Sequence, residues 1–237
     1  MIRSLSLHGR RFSRVTLSLF LLAAMVAVGT PTFAGDGASA DLSPAKATAK
    51  APETFRVRFE TTEGNFEVDV TRAWAPLGVD RFYNLVKMGY FTDVGFYRVI
   101  DGFMVQFGFH GDPKVNDMWH TASIKDDPVT QSNQPGMLTF ANRGRNTRTT
   151  QMFINTANNN YLDGMGFAPL GKIVGDEGMA VVAKLYKGYG EGAPMGSGPN
   201  QAMLKSQGNA YLKKNFPELS YIKKVVLVKQ PAKAGTP

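Results

Sequence analysis

The sequence predicts a mainly all-β fold, and three observations predict it. Apolar and polar residues alternate over short runs, first where Phe55, Val57 and Phe59 alternate with Arg56, Arg58 and Glu60, the period-two signature of a half-buried strand. Turn-forming residues are abundant, with Gly 25 and Pro 13 in 237 residues. The apolar runs Phe96–Ile100 and Phe103–Phe107 meet at Asp101-Gly102, a dipeptide that tolerates φ > 0 and so turns a hairpin.

Taken in order, residues 1–34 have the build of a secretory signal. Arg3, Arg10, Arg11 and Arg14 precede the apolar run Val15–Val28, and Thr32-Phe33-Ala34 supplies small residues for cleavage. The run is short for a membrane span, which needs about 20 residues. Arg10-Arg11 is followed at once by Phe12, so the twin-arginine spacing is absent. Residues 35–53, rich in Ala, Gly, Ser, Lys and Pro, bury little apolar area and are expected to be a flexible linker. The folded domain is expected over 54–231, with a flexible tail over 232–237.

Within the domain, Phe66, Val68 and Val70 form a second strand after the turn Thr62-Glu63-Gly64-Asn65. Pro76 opens a helix carrying Val79, Phe82, Tyr83 and Val86 on one face, with Gly89 at its end. In the central hairpin, alternation puts Phe96, Arg98 and Ile100 on one face and Tyr97 and Val99 on the other. Residues 108–135, with Pro113, Pro128 and Pro135, form a long irregular segment, a kind of connection that is usually functional. Strands follow near 136–141, 151–155 and 169–174. Met179, Val182, Ala183 and Tyr186 mark a second helix, 201–215 a short third one, and 222–228 a closing strand.

Composition excludes several functions. Without cysteine there is no disulfide framework, thiolate chemistry or lipid-anchored cysteine. The net charge of +8 falls to +4 once residues 1–34 are set aside, and no basic stripe marks a nucleic-acid surface. Gly188-Tyr189-Gly190-Glu191-Gly192 follows a helix pattern rather than a strand, so it lacks the context of a phosphate loop. His110, Asp112 and His120 lack the tight spacing of a four-ligand metal site. Ser123, Ser132 and Asp126 lack a nucleophile elbow.

Three stretches carry the chemistry. The first is Phe96-Tyr97-Arg98-Val99-Ile100-Asp101-Gly102-Phe103-Met104-Val105-Gln106-Phe107, where a guanidinium shares a face with large apolar groups. The second runs from Gly136-Met137-Leu138-Thr139-Phe140-Ala141-Asn142 through Arg143-Gly144-Arg145-Asn146-Thr147 to Gln151-Met152-Phe153-Ile154-Asn155. The third is Tyr161-Leu162-Asp163-Gly164 followed by Leu170-Gly171-Lys172-Ile173-Val174. In this order and spacing, from about Phe55 to Val228, they resemble the cyclophilin family of peptidyl-prolyl cis/trans isomerases.

The resemblance implies a closed, antiparallel, eight-stranded β-barrel capped by two α-helices, plus the short C-terminal helix. It implies Arg98 and Gln106 as catalytic residues, Arg98 as donor to the twisting prolyl nitrogen. Phe103, Met104, Phe153 and Leu162 match the pocket for the proline ring, although each alone suits a barrel core. Gln106 and Gln151 match groups that position Arg98 or the substrate, and Ala141 and Asn142 the edge that bonds its backbone. Tyr161 stands where many members have tryptophan, which implies weaker cyclosporin binding for want of an indole donor. The family's histidine beyond Leu-Asp-Gly is replaced by Met165-Gly166-Phe167-Ala168-Pro169, leaving Phe167 to line the pocket. Gly-Gly-Asp after the glutamine is replaced by Phe107-Gly108-Phe109-His110-Gly111-Asp112. Arg143 adds charge where a small residue is common.

No cofactor or metal is implied. The expected partners are proline-containing client chains, with no nucleic acid and no stable membrane insertion after processing. A monomer is expected, acting in the periplasm of a Gram-negative bacterium or secreted. The rival reading is a non-catalytic module that uses the same pocket only to grip prolines.

Overall fold

In the computed structural model, residues 41–228 are described. The expected signal segment 1–34, the start of the expected linker and everything from 229 onward lie outside the described residues. Two eight-residue strands open the barrel, β1 (Thr54–Thr61) and β2 (Gly64–Thr71). Their alternate side chains Val57, Phe59, Phe66, Val68 and Val70 are buried, as the period-two pattern requires. The Phe59 and Phe66 rings stack at 4.8 Å.

Helix α1 (Pro76–Lys87) closes one end of the barrel with Val79, Phe82, Leu85 and Val86. Ala75 cannot cap it. The Asp127 carboxylate does so from the long connection, accepting from the amides of Leu77 at 3.0 Å and Gly78 at 2.8 Å. Arg148 holds that carboxylate at 3.0 Å, and both side chains are buried.

The hairpin segment is split in two. β3 (Val94–Gly95) pairs with the last strand, β9 (Tyr221–Val228), while β4 (Arg98–Ile100) pairs with β5 (Met104–Phe107). The sheet order is β3-β9-β1-β2-β8-β6-β7-β5-β4, with β6 (Met137–Phe140), β7 (Met152–Asn155) and β8 (Pro169–Ile173) antiparallel to their neighbours. Since β3 and β4 belong to one continuous segment, the order returns to its start and the barrel closes. The eight expected strands become nine only through this break.

The break corrects one expectation. Simple alternation does not run through Phe96-Tyr97, so Phe96 does not share a face with Arg98. Phe96 joins Val99 in the barrel core and packs on Phe107 at 5.5 Å. Arg98 and Ile100 point outward with their cross-strand partners Gln106 and Met104. Tyr97 goes into a separate small core with Leu204, Leu212 and Leu219.

Two further differences concern segments of low periodicity. The irregular connection 108–135 contains helix α2 (Pro113–Trp119), started by Asp112, whose carboxylate accepts from Lys114 N at 2.8 Å, with Pro113 in the first turn. The described part of the expected flexible linker, 41–53, lies against the barrel instead. Leu42, Ala47 and Ala51 pack on the barrel core, and the segment adds hydrogen bonds. Leu42 O accepts from Trp119 Nε1 at 2.7 Å, Ala49 N donates to Asn84 Oδ1 at 3.0 Å, and Ala51 N to Asp80 Oδ1 at 2.9 Å.

Helix α3 (Gly175–Val182) begins three residues before the expected Gly178. Helix α4 (Gln201–Asn215) matches the expected range but is kinked at Gly208, φ 57°. There Asn209 N reaches Gly111 O at 2.9 Å, a close approach that leaves no room for a side chain.

Candidate active site

Outside the barrel, β4, β5 and β7 present their solvent-side residues to a cleft of about 290 Å³. Its floor is a hydrophobic cluster separate from the barrel core, built from Met104, Phe153 and Leu162 with Ile100, Phe103, Ala141 and Phe167 against it. Phe103, Met104, Phe153 and Leu162 thus lie outside the barrel core and line the cleft. Phe153 and Phe167 meet edge to face at 5.7 Å.

Arg98 stands at the edge of this floor. Its Nη1 donates to Gln106 Oε1 at 3.0 Å and lies 3.8 Å from the Met104 sulfur. The guanidinium carbon is 5.9 Å from the centre of the Phe103 ring. Gln106 is oriented in turn, because its Nε2 donates to Gln151 Oε1 at 3.2 Å, which also accepts the Tyr97 hydroxyl at 2.6 Å. Burial pushes the Tyr97 phenol well above its ordinary value, so it stays a donor and fixes the whole relay. Sequence alternation had set Tyr97 on the opposite face. The break between β3 and β4 before Arg98 accompanies its placement under the site.

Beneath the pocket, a buried asparagine network ties its segments together. Asn133 Nδ2 donates to Asp163 Oδ1 and Phe167 O, both at 2.8 Å, and its Oδ1 accepts from Thr139 at 3.0 Å and Asn155 at 3.1 Å. Asn159 Nδ2 holds Phe103 O and Asn155 Oδ1, each at 2.8 Å. Thus the hairpin turn, the end of β7, the 160–165 turn and Phe167 are held through one set of amides. Burial pushes the Asp163 carboxyl up, but hydrogen bonds from Ser132 and from the side chain and backbone of Asn133 outweigh it and hold it below its ordinary value.

Ten of the eleven residues expected from the sequence line the cleft: Arg98, Phe103, Met104, Gln106, Ala141, Asn142, Gln151, Phe153, Leu162 and Phe167. Tyr161 does not. It is 57% exposed and stacks on the outer face of Phe103 at 6.4 Å, so it forms the rim. The Ala141 amide is already donated to Gln151 O at 2.9 Å, which leaves the Ala141 carbonyl and Asn142 as the edge facing the cleft. His110 and Asp112 meet only in the turn before α2, through the Asp112 amide and His110 Nδ1 at 3.0 Å.

Sequence reasoning missed Glu191. Its two carboxylate oxygens accept from Arg98 Nε at 2.6 Å and Nη2 at 2.7 Å, and it lines the cleft with Met195 and Gln201. Arg143 lines the main cleft and a smaller one of about 190 Å³ beside it, where Lys205 and His120 also stand.

The closed antiparallel barrel thus carries an arginine held beside an apolar pocket on its outer face. The sequence model of the family described as cyclophilin type peptidyl-prolyl cis-trans isomerase/CLD matches residues 56–203. The chain belongs to this family. "Peptidyl-prolyl cis-trans isomerase-like 3" of Neurospora crassa is 31% identical over 137 residues, 54% of this chain and 81% of the relative. "Peptidyl-prolyl cis-trans isomerase" of Acinetobacter baylyi is 32% identical over 143 residues, 58% and 74% respectively. The crystal structure of a Cryptosporidium parvum cyclophilin type peptidyl-prolyl cis-trans isomerase superposes with a TM-score of 0.54 at 20% identity, covering 75% of this chain and 99% of that one. That likeness establishes the fold.

Proposed function

We propose that this cyclophilin-type isomerase accelerates X–Pro rotation in exported client chains, and that Arg98 and the surrounding cleft carry the reaction. The observation that carries the reading is the guanidinium fixed against a solvent-open apolar floor. An X–Pro bond prefers trans by only about 0.5–1 kcal/mol, yet interconverts over tens to hundreds of seconds because rotation breaks amide resonance. Nothing covalent is needed. The proline ring seats on Phe103, Met104, Phe153, Leu162 and Phe167, and the chain before it turns.

As the amide twists, the prolyl nitrogen regains a lone pair. A donor aimed at that nitrogen binds the twisted state better than either planar one. Arg98 has five N–H donors. Glu191 takes two and Gln106 one. Of the two that remain, any on Nη1 faces only the Met104 sulfur, a weak acceptor that a substrate displaces. The Tyr97–Gln151–Gln106 relay keeps Gln106 Oε1 turned to Arg98, so the donor does not reorganise during the reaction.

Export is proposed from the basic and apolar character of residues 1–34 and the small residues at 32–34. Fractionation of a Gram-negative host expressing the full chain, with N-terminal sequencing, tests it; an uncleaved cytoplasmic product refutes it. The activity test is exchange NMR on a short X–Pro peptide, with wild type and Arg98→Ala at equal concentration. Accelerated exchange that is largely lost in a folded Arg98→Ala supports the reading. Binding without acceleration transfers the protein to the proline-gripping role.

A further inference from the structure

The segment between α3 and α4 carries no periodicity, yet it is built in detail around one carboxylate. Gly198 N donates to Glu191 O at 2.8 Å, Ala193 N to Gly198 O at 3.0 Å and Gly196 N to Gly192 O at 3.2 Å, which closes residues 191–198 on themselves. The glycines are needed. A Cβ at Gly196 would collide with the Glu191 carbonyl, one at Gly198 would stand 2.8 Å from the same oxygen, and one at Gly192 would stand 2.8 Å from Pro199 O. The Gly192 amide donates to Glu191 Oε1 at 2.8 Å, so the side chain is fixed as well as the backbone. At the start of the loop, Lys187 pairs with Asp101 of the hairpin turn at 2.9 Å. At its foot, the Tyr189 ring packs on Phe216 at 5.0 Å.

We propose that Glu191 is a positioning residue for the isomerase reaction, holding the Arg98 guanidinium in one rotation so that its Nη1 edge faces Gln106 and the proline pocket. This rests on the assignment of Arg98 as the catalytic donor. An arginine side chain has several rotatable bonds, and Gln106 alone contacts one nitrogen. The two-pronged contact fixes the plane of the guanidinium, a geometry that a single hydrogen bond does not impose. A carboxylate beside the cation also offsets part of its charge, which opposes catalysis. The geometry decides for positioning. Glu191 occupies the Nε–Nη2 side and leaves Nη1, the edge that carries the Gln106 and Met104 contacts, turned to the cleft.

The test compares wild type, Arg98→Ala, Glu191→Gln and Gly196→Ala by exchange NMR on an X–Pro peptide, with the Arg98 Nε–H resonance observed in each protein that retains Arg98. Wild type should show a slowly exchanging Arg98 Nε–H signal. Glu191→Gln should lose that protection and lower kcat about tenfold with KM changed less than about twofold, the pattern of a misaimed donor. Gly196→Ala keeps both charges but displaces Glu191, and should do the same. Turnover of Glu191→Gln at or above the wild-type value overturns the proposal. So does a fast-exchanging Nε–H in wild type, a result that does not depend on any variant folding. If wild type itself fails to accelerate exchange, the isomerase reading falls and this assignment with it. If wild type is active and Arg98→Ala is not, while Glu191→Gln matches wild type, only the role of Glu191 falls.

Discussion

Asn133→Ala removes one fully buried side chain that four neighbours use at once. Two of them have other partners. Asp163 keeps Ser132 at 2.5 Å and the Asn133 amide at 2.9 Å, and Asn155 Nδ2 keeps Met137 O at 3.1 Å. The Phe167 carbonyl and the Thr139 hydroxyl lose the partner shown. At about 1–3 kcal/mol for each orphaned group, the expected loss is about 2–6 kcal/mol, a large share of the roughly 5–15 kcal/mol that holds a domain. Urea unfolding at neutral pH measures it. With a slope of about 2 kcal/mol per molar, the midpoint should fall by about 1–3 M. Phe167 and the 160–165 turn are released together, so KM for an X–Pro peptide should rise more than kcat falls. A stability loss below about 0.5 kcal/mol, with KM unchanged, would show that the network does not hold the pocket.

Other expectations follow from the same geometry. Burial raises the Asp80 carboxyl, but hydrogen bonds from Arg72 and the Ala51 amide, with the nearby positive charges, bring it below its ordinary value; Asp163 is lowered likewise. The stability they contribute is complete above the ordinary carboxylate pKa near 3.8 and is lost as pH falls through their lower native values. Unfolding curves should therefore weaken from pH 5 to pH 3, and Asp80→Asn should narrow that gap. Arg143, on both clefts, should favour peptides with an acid near the proline by about two- to fivefold in kcat/KM, the size of an exposed ion pair; equal turnover of matched acidic and basic peptides removes the idea. Tyr161→Trp returns an indole donor to the rim and should tighten cyclosporin by about fivefold, the worth of one hydrogen bond, in a fluorescence titration; an unchanged affinity refutes it.

The start of the barrel was legible because β1 and β2 bury alternate residues, a pattern that Phe55–Phe59 and Phe66–Val70 declare directly. The pocket was legible as a set of residues but not as a surface. Only the break between β3 and β4 at Phe96-Tyr97 tells which side of the hairpin faces out, and no period reports such a break. Helix α2 did leave a signal, an aspartate before a proline, which is an N-cap followed by a first-turn residue; among several prolines it passed for a loop. The packing of residues 42–51 combines three small or single apolar contacts, Leu42, Ala47 and Ala51, with main-chain hydrogen bonds, to which composition is blind. Glu191 reaches Arg98 across 93 positions of chain from a glycine-rich loop, and nothing local encodes such a pair.

Strand β1 lies between β2 and β9, and its partners on the β9 side are more than 150 residues away in the chain. The first strand to leave the ribosome therefore keeps an unsatisfied hydrogen-bonding edge until nearly all the chain has been made. A cyclophilin with this connectivity cannot complete its own barrel from the N-terminus forward. Until residues 221–228 arrive, that edge of β1 stays bare, and a bare strand edge is a natural point of attack for misassembly.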